Sequence, residues 1–503
     1  MLAMSSRRRW FVTIGVMTGM LLAALEATVV GTAMPTIVSA LGGLAHYSWV
    51  FSAYLLTSTV TVPVWGKLSD LFGRRRLFQI GVGVFVIGSA ACGLAMTMTQ
   101  LIVARAVQGV GAGALVPLAM TIIGDIFTLE ERAKMQGFFS GVWGLSSIFG
   151  PLVGGFITDQ LSWRWVFLLN LPVGIAAALI IGIALREPPR HERPSIDYLG
   201  STVLTIAVTI LLLVLGAQSI ATPRNMVLIA LVVASLFWFI RIEQRAKDPV
   251  VPLGLFRNRV VAVAVGVGFL SGIAMFAVIT FVPLLAQGVL GATATEAGSF
   301  LTPLMLSWVI VSIIGGRLLI RFGSRVLVIL GLILMLGGFV ALATFTRTTP
   351  KALMMFELIV IGSGLGLTMF TLLVASQHSV RREQLGITTS LNQFSRSIGG
   401  ALGVAILGAL LAAGLAQFAQ DPNALVNPAA RAHLAPAELA QLQGALEGTL
   451  RNIFWVCAAV VAIALAGAFT LPGGAVGEVH GEPAKRMVIA EMTNIDPEHE
   501  PEV

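Results

Sequence analysis

The chain has 503 residues, of which 56% are apolar and only 11% are Asp, Glu, Lys or Arg, and its mean hydropathy is +0.91. A surface facing water needs roughly a quarter charged residues, so the composition excludes a soluble globular protein and places the chain in a bilayer. The formal net charge of +8 does not point to nucleic acid, because the basic residues fall in short runs between apolar stretches and not along one face. Cys92 and Cys457 both lie inside apolar runs and the six His are scattered, which excludes a disulfide framework and a cysteine or histidine metal site.

A helix needs about 20 apolar residues to cross the hydrocarbon core. Fourteen runs of that kind are predicted in chain order, at 10–41, 46–68, 77–97, 100–127, 134–158, 164–185, 198–219, 225–241, 260–288, 295–317, 326–346, 351–376, 386–418 and 450–471. They are continuous, unlike the alternating strands of a membrane barrel. The first run follows Arg7, Arg8 and Arg9 but is too long for a signal-peptide core and has no small-residue cleavage site after it, so it reads as a retained helix. With the N-terminus inside, 24 of the 32 Lys and Arg fall in cytoplasmic segments. The positive-inside rule therefore predicts that both termini are cytoplasmic. The segments 186–197 and 242–259 are cytoplasmic linkers, 419–449 is a long external loop in which the stretch from Pro436 can form a short surface helix, and 472–503 is an acidic tail that reads as disordered.

The chain repeats itself. Gly66-Lys67-Leu68-Ser69-Asp70-Leu71-Phe72-Gly73-Arg74-Arg75 aligns with the stretch from Gly316 to Arg325 at an offset of 250 residues. Nearly the same offset pairs Gly109, Gly111 and Gly113 with Gly362, Gly364 and Gly366, Arg132 with Arg382, and Gly150 and Gly154 with Gly399 and Gly403. The expected fold is an all-α integral membrane protein: a six-helix half over 10–185, two inserted helices over 198–241, and a second six-helix half over 260–471 in the same orientation. Parallel halves of this kind suit a transporter that rocks around a site at the bilayer midplane.

These motifs carry a resemblance to the major facilitator superfamily, and within it to the fourteen-helix drug/proton antiporter branch. The segment Leu25-Glu26-Ala27-Thr28 to Pro35 is similar to that branch's first-helix motif, with Glu in place of the usual Asp. Residues 66–76 resemble the superfamily's loop signature, with Leu71 where Arg is usual. Arg105 to Gly111 resembles the fourth-helix motif, and Gly150-Pro151-Leu152-Val153-Gly154-Gly155 the fifth-helix antiporter motif, preceded by Ser146 where Gly is usual. Asp248 to Arg259 is similar to the segment after the inserted helices. The resemblance implies the major facilitator fold, a multi-pass protein of a bacterial plasma membrane, proton antiport, multidrug efflux with antibiotic resistance, and a monomer.

The chemistry follows from the few polar groups inside the spans. No phosphate-binding Gly-rich cradle precedes a helix, so no nucleotide, metal or other cofactor is expected and an ion gradient is the expected energy source. Ionisable groups within a bilayer are costly and default to functional candidates. Glu26 lies about 24 Å along its helix at 1.5 Å per residue; it is the candidate proton-coupling carboxylate, taking up a proton or a lipophilic cation in competition. Arg105, with Gln108 one turn on, can drive proton release from Glu26 or can simply bond helix-end carbonyls. Glu357 is either a second proton site or a hydrated carboxylate near the outer surface. Arg396, beside Asn392 and Gln393, either lines the cavity from the second half or supports a broken backbone. Tyr54, Trp143, Phe276, Met305 and Trp308 suit an adaptable apolar cavity, though lipid-facing aromatics read the same way.

At the cytoplasmic mouth, Gly66 and Gly73 are expected to permit a tight turn, and the resemblance implies a gate formed by Asp70, Arg74, Arg75 and Arg132. Gly150, Pro151, Gly154 and Gly155 bring the fifth helix close to a neighbour, which serves either to block leakage or only to pack. The expected activity is export of lipophilic or cationic drugs in exchange for protons by alternating access. The alternatives are a proton-driven exporter of an endogenous amphiphile such as a lipid or siderophore and, in another class, a membrane sensor or platform without transport.

Overall fold

The computed structural model describes residues 5–127, 129–185, 223–245, 253–381, 384–416 and 422–472, with scattered positions between 202 and 214. The 186–197 linker, most of the 198–219 span, the middle of the 242–259 linker and the tail from residue 473 lie outside the described residues, as do the side chains of Asp70 and Arg132.

Every long element among the described residues is helical: α1 Ser6–Leu41, α2 Tyr47–Phe72, α3 Arg74–Gly93, α4 Met98–Ile126, α5 Leu129–Gln160, a short α6 Arg164–Leu168, α7 Asn170–Ala184, α8 Pro223–Glu243, α9 Arg259–Leu284, α10 Ala294–Ala343, α11 Lys351–His378, α12 Leu385–Leu415, a short α13 Pro428–His433 and α14 Pro436–Ala468. Twelve segments are long and apolar enough to cross a membrane. The Ser- and Thr-rich α2, 26 residues long, is not among the twelve but packs between α4 and α12. The twelve do not reproduce the expected count of fourteen, because the span at 198–219 is largely undescribed and α2 is too polar to qualify.

Two local differences from the sequence reading have simple causes. The spans at 295–317 and 326–346 run together as α10, interrupted at Gly323, where φ is 76° and ψ is 166°. The last helix begins at Pro436, inside the segment read as external loop, because the stretch after Pro436 continues a helical register directly into the membrane span. Proline suits the first turn of a helix, and Glu438 accepts a bond from the Ala435 amide at 3.2 Å.

The sequence repeat is a structural repeat. Gly73 and Gly323, 250 residues apart, both turn the chain through positive φ, at 91° and 76°, a region that side chains with a Cβ avoid. Gly109 and Gly113 abut α2 while Gly111 abuts α3. In the second half, Gly362 and Gly366 abut the first part of α10 while Gly364 abuts its second part. Gly150 and Gly154 lie on α1, as Gly399 and Gly403 lie on α9. Small residues let backbones approach where no hydrophobic force separates helix from lipid. Gly66, by contrast, sits within helical α2 with open space where a Cβ would stand, so the turn at the end of α2 rests on Gly73 alone.

The outward faces of the helices carry large apolar side chains, among them Ile183, Ile313 and Ile463 at 61–80% exposure. Such a belt fits hydrocarbon, not water. Between the halves, the packing is uneven. Call the end holding the N-terminus proximal and the end holding Leu41 distal. Bonds joining the halves gather distally and at mid-depth. Tyr47 donates to Thr280 O at 2.8 Å, Gln287 to Thr32 O at 2.8 Å, and the Leu44 amide to Asn423 Oδ1 at 2.9 Å. A continuous apolar core from both halves lies beneath them, including Ile37, Tyr47, Phe281 and Phe300.

Candidate functional site

The site is a ring of polar side chains sealed among the helices of the first half. Glu26 comes from the middle of α1 and Arg105 from the second turn of α4; they are 2% and 1% exposed. The Arg105 Nη1 forms an ion pair with Glu26 Oε1 and donates to Gln108 Oε1 at 2.6 Å. Gln108 Nε2 donates to Ser89 Oγ on α3 at 2.7 Å. Asn170, the first residue of α7, closes the ring: its Nδ2 donates to Glu26 Oε2 at 2.7 Å and lies 3.4 Å from Ser89 Oγ. Arg105 Nε also donates to Val50 O at 3.1 Å, and its guanidinium carbon stands 4.1 Å from the centre of the Tyr54 ring.

The physical reason for the ring is that a carboxylate and a guanidinium taken from water each demand partners on all sides. Both oxygens of Glu26 are met. The i, i+3 spacing of Arg105 and Gln108 puts both on one face of α4. Close approach of α3 to α4 is possible because Gly88 leaves no room for a side chain beside Gln108.

One side of the ring faces the seam between halves. Glu26, Arg105 and Tyr54, with Ala27, Phe51 and Leu55, line a narrow pocket of about 10 Å³ whose opposite wall is Phe276 and Ile279 of α9. That is room for one water at most, so in this conformation the two walls are closed on each other and the cleft is far smaller than the roughly 300 Å³ of a site for a drug-sized molecule. A buried charged pair beside an apolar cleft changes its protonation readily where water or a ligand reaches it.

The expected site residues divide. Glu26, Arg105, Gln108, Tyr54 and Phe276 come together here. Trp143 is half-buried on α5, packed against the apolar cluster that includes Tyr54 and Leu55 but not in the pocket's lining, and Trp308 packs partly buried against the inter-half core. Met305 is 1% exposed within that core and is not part of this pocket's lining. Glu357 is buried on α11 among second-half residues, with Oε2 unpartnered. Asn392 bonds Ser376 Oγ at 3.0 Å and Thr388 O at 2.9 Å, tying α12 to α11, while Arg396 donates to Gln393.

Of the expected proximal gate, Arg74 donates to Thr121 O at 2.9 Å and pairs with Asp125, so it holds α3 to α4 inside one half. Arg75 also has a polar interaction. Pro151 and Gly155 of α5 meet the start of α10, where Gly298 abuts Pro151 O and Gly155 abuts the backbone at Ala294 and Thr295. Sequence reasoning missed Asp159 at the end of α5. Its carboxylate accepts from the amides of Ala294 and Thr295 at 3.2 and 2.8 Å and from Thr295 Oγ1 at 2.5 Å. An acid at a helix N-terminus meets orphan amides and the positive end of the dipole, and here it does so across the seam. Asn170 and Ser89 were missed as well, since a neutral amide or hydroxyl in an apolar span draws less notice than a charge.

The model of the Major Facilitator Superfamily matches residues 16–404. The chain belongs to the major facilitator superfamily. It is thus a membrane transporter and not an enzyme. Among its relatives, the multidrug transporter protein MdtP of Bacillus subtilis (strain 168) is 42% identical over 460 residues, covering 89% of this chain and 84% of MdtP. Multidrug resistance protein 3 of the same organism is 35% identical over 479 residues, covering 91% and 93%. Among solved structures, a bacterial homologue of the human lysosomal transporter Spinster, in an inward-facing and unoccupied conformation, superposes with a TM-score of 0.67 at 18% identity, covering 93% and 98%. A D-xylose-proton symporter gives 0.62 at 13% identity, covering 93% and 99%. At these identities the two structures speak to the fold alone.

Proposed function

We propose that the protein is a proton-driven exporter of lipophilic small molecules, working by alternating access, with Glu26 as the coupling carboxylate. The observation that carries this reading is the sealed ring of Glu26, Arg105, Gln108, Ser89 and Asn170 beside a pocket walled by both halves. The names of the Bacillus relatives support a drug-like cargo. Ser- and Thr-rich α2 and the 198–219 segment supply the remaining two of fourteen spans in this reading. With both termini in the cytoplasm, the distal end is external, and the bonds of Asp159, Gln287 and Tyr47 close the outer gate while Asp70, Arg74, Arg75 and Arg132 serve the inner one.

Coupling then runs through a choice of partner. Ionised Glu26 is satisfied by Arg105 and Asn170. A proton arriving at Glu26 cancels its charge and weakens its hold on Arg105, so the guanidinium shifts toward Val50 O and the Tyr54 ring, and the pocket beside them changes shape. Protonation from outside and release inside would exchange a proton for cargo. A neutral cargo leaves one charge to move with the proton, for which a membrane potential of 100 mV supplies about 2.3 kcal/mol. A second reading, export of an endogenous amphiphile such as a lipid or siderophore, uses the same parts. We infer a monomer as the working unit.

The test is reconstitution of the purified full chain into liposomes with an imposed pH gradient. Gradient-dependent movement of an apolar dye, N-phenyl-1-naphthylamine, with a matching proton flux read by an internal pH dye, is the expected result. Dye movement that ignores the gradient, or proton flux that ignores the dye, would remove the antiport reading.

A further inference from the structure

Glu26 meets the ring through two unlike oxygens. Oε1 lies against the Arg105 guanidinium, and Oε2 accepts from Asn170 Nδ2 at 2.7 Å. The cation beside Oε1 favours negative charge on that oxygen, so an arriving proton binds at Oε2. Oε2 then becomes an O–H donor facing an N–H donor, and neither hydrogen has an acceptor. A buried donor left without its bond is costly, so a proton on Glu26 cannot leave Asn170 as it stands.

The ring itself offers one spare acceptor. Gln108 Oε1 takes the bond from Arg105 Nη1 at 2.6 Å and has Cys92 Sγ at 3.7 Å. Ser89 Oγ takes the bond from Gln108 Nε2 at 2.7 Å and has Asn170 Nδ2 at 3.4 Å. Asn170 Oδ1 accepts no hydrogen bond among the described residues. Half a turn of the carboxamide about χ2 exchanges Nδ2 for that oxygen, and this torsion is broad and roughly two-fold in asparagine. The turned amide presents Oδ1 to the Glu26 O–H and gives up its long contact with Ser89. Among the described residues, the titratable and charged groups about Glu26 are Arg105 on α4, Tyr54 on α2 and Cys92 on α3, while the facing wall of α9 is the apolar pair Phe276 and Ile279.

We propose, on the reading of Glu26 as the coupling carboxylate, that Asn170 is the positioning residue that registers the proton: its carboxamide donates to ionised Glu26 and turns over to accept from the protonated form. Asn170 is the first residue of α7, so the arrival of a proton is felt on a helix that carries neither charge, and not only in the hold on Arg105. A hydroxyl in the same place does both jobs by rotating, while an apolar side chain of similar size does neither.

Infrared difference spectra of the purified full chain, acid minus alkaline, test the bond directly, because a carboxyl O–H that meets an acceptor lowers the carbonyl stretch of its own group. Glu26→Gln identifies the Glu26 band by removing it. In Asn170→Leu that band should move to the higher wavenumber of a free carboxyl, and in Asn170→Thr it should stay at the bonded position. Asn170→Leu should also slow gradient-driven dye movement at least tenfold, with most of the loss recovered in Asn170→Thr. Asparagine labelled with a heavy isotope at the side-chain carbonyl needs no substitution at Asn170: one labelled amide band should shift with the Glu26 band and hold still in Glu26→Gln. An unmoved Glu26 band in Asn170→Leu, a free-carboxyl band in Asn170→Thr, or labelled amides silent through the titration would each overturn the proposal. Failure of the coupling reading would show differently, as the absence of any titrating band that Glu26→Gln removes.

Discussion

The two halves share a fold and differ in chemistry. By the glycine alignment, Arg105 and Gln108 of α4 correspond to Leu358 and Ile361 of α11, both fully buried in apolar packing. The glycines around them do the same work in both halves, admitting the same neighbouring helices to close contact. Among the described residues, the first half surrounds Arg105 of its central helix with polar partners: Glu26 on α1, Ser89 on α3 and Asn170 on α7. The repeat thus keeps the means by which helices approach one another, while the carboxylate–guanidinium ring is built in one copy and the second holds Glu357 on α11, away from that ring. A duplicated scaffold tolerates this because glycine contacts set backbone distance and place no demand on the chemistry one turn away.

The comparison breaks most sharply at Glu26. Glu26→Gln keeps the shape and the bond to Asn170 but removes the titrating group, and gradient-driven dye movement in proteoliposomes should fall at least a hundredfold with binding retained. A variant that still couples would move the chemistry out of the first half. Next in size is Arg105→Leu, which strands a buried carboxylate and should cost about 3–5 kcal/mol. The pair Glu26→Leu with Arg105→Leu should cost less than Arg105→Leu alone, as measured by thermal unfolding in detergent. Additive losses would mean that the two side chains act separately.

The shared scaffold makes a matched prediction. Gly73→Ala and Gly323→Ala should each cost about 1–2 kcal/mol, since both positions require positive φ, and similar melting shifts would sharpen the equivalence of the halves. The smallest expected effect lies at the seam. Asp159→Ala removes the acceptor that caps α10 across the halves, worth about 1 kcal/mol. It should raise the labelling rate of a cysteine placed at Thr36 by a water-soluble thiol reagent, while Asp159→Asn should raise it less. No change would place the closure of the distal end in the apolar core alone.

How much of this was legible beforehand depended on the kind of signal. The bilayer, most spans, the parallel repeat and the choice of Glu26 and Arg105 as candidates follow from composition, run length, spacing and the cost of charge in hydrocarbon. Each is a property of residues near in sequence or of residue type. What only the tertiary structure decided is which distant groups become neighbours. It places Asn170, 144 residues from Glu26, against the second carboxylate oxygen, turns Met305 into the core, leaves Glu357 away from the ring, and sets Asp159 under the first turn of α10. Helix periodicity states which residues share a face, but the partner of that face is settled by how close the backbones can come. In a membrane, where apolar side chains gain little by leaving lipid, that approach depends on small residues and on the few bonds able to satisfy buried polar groups.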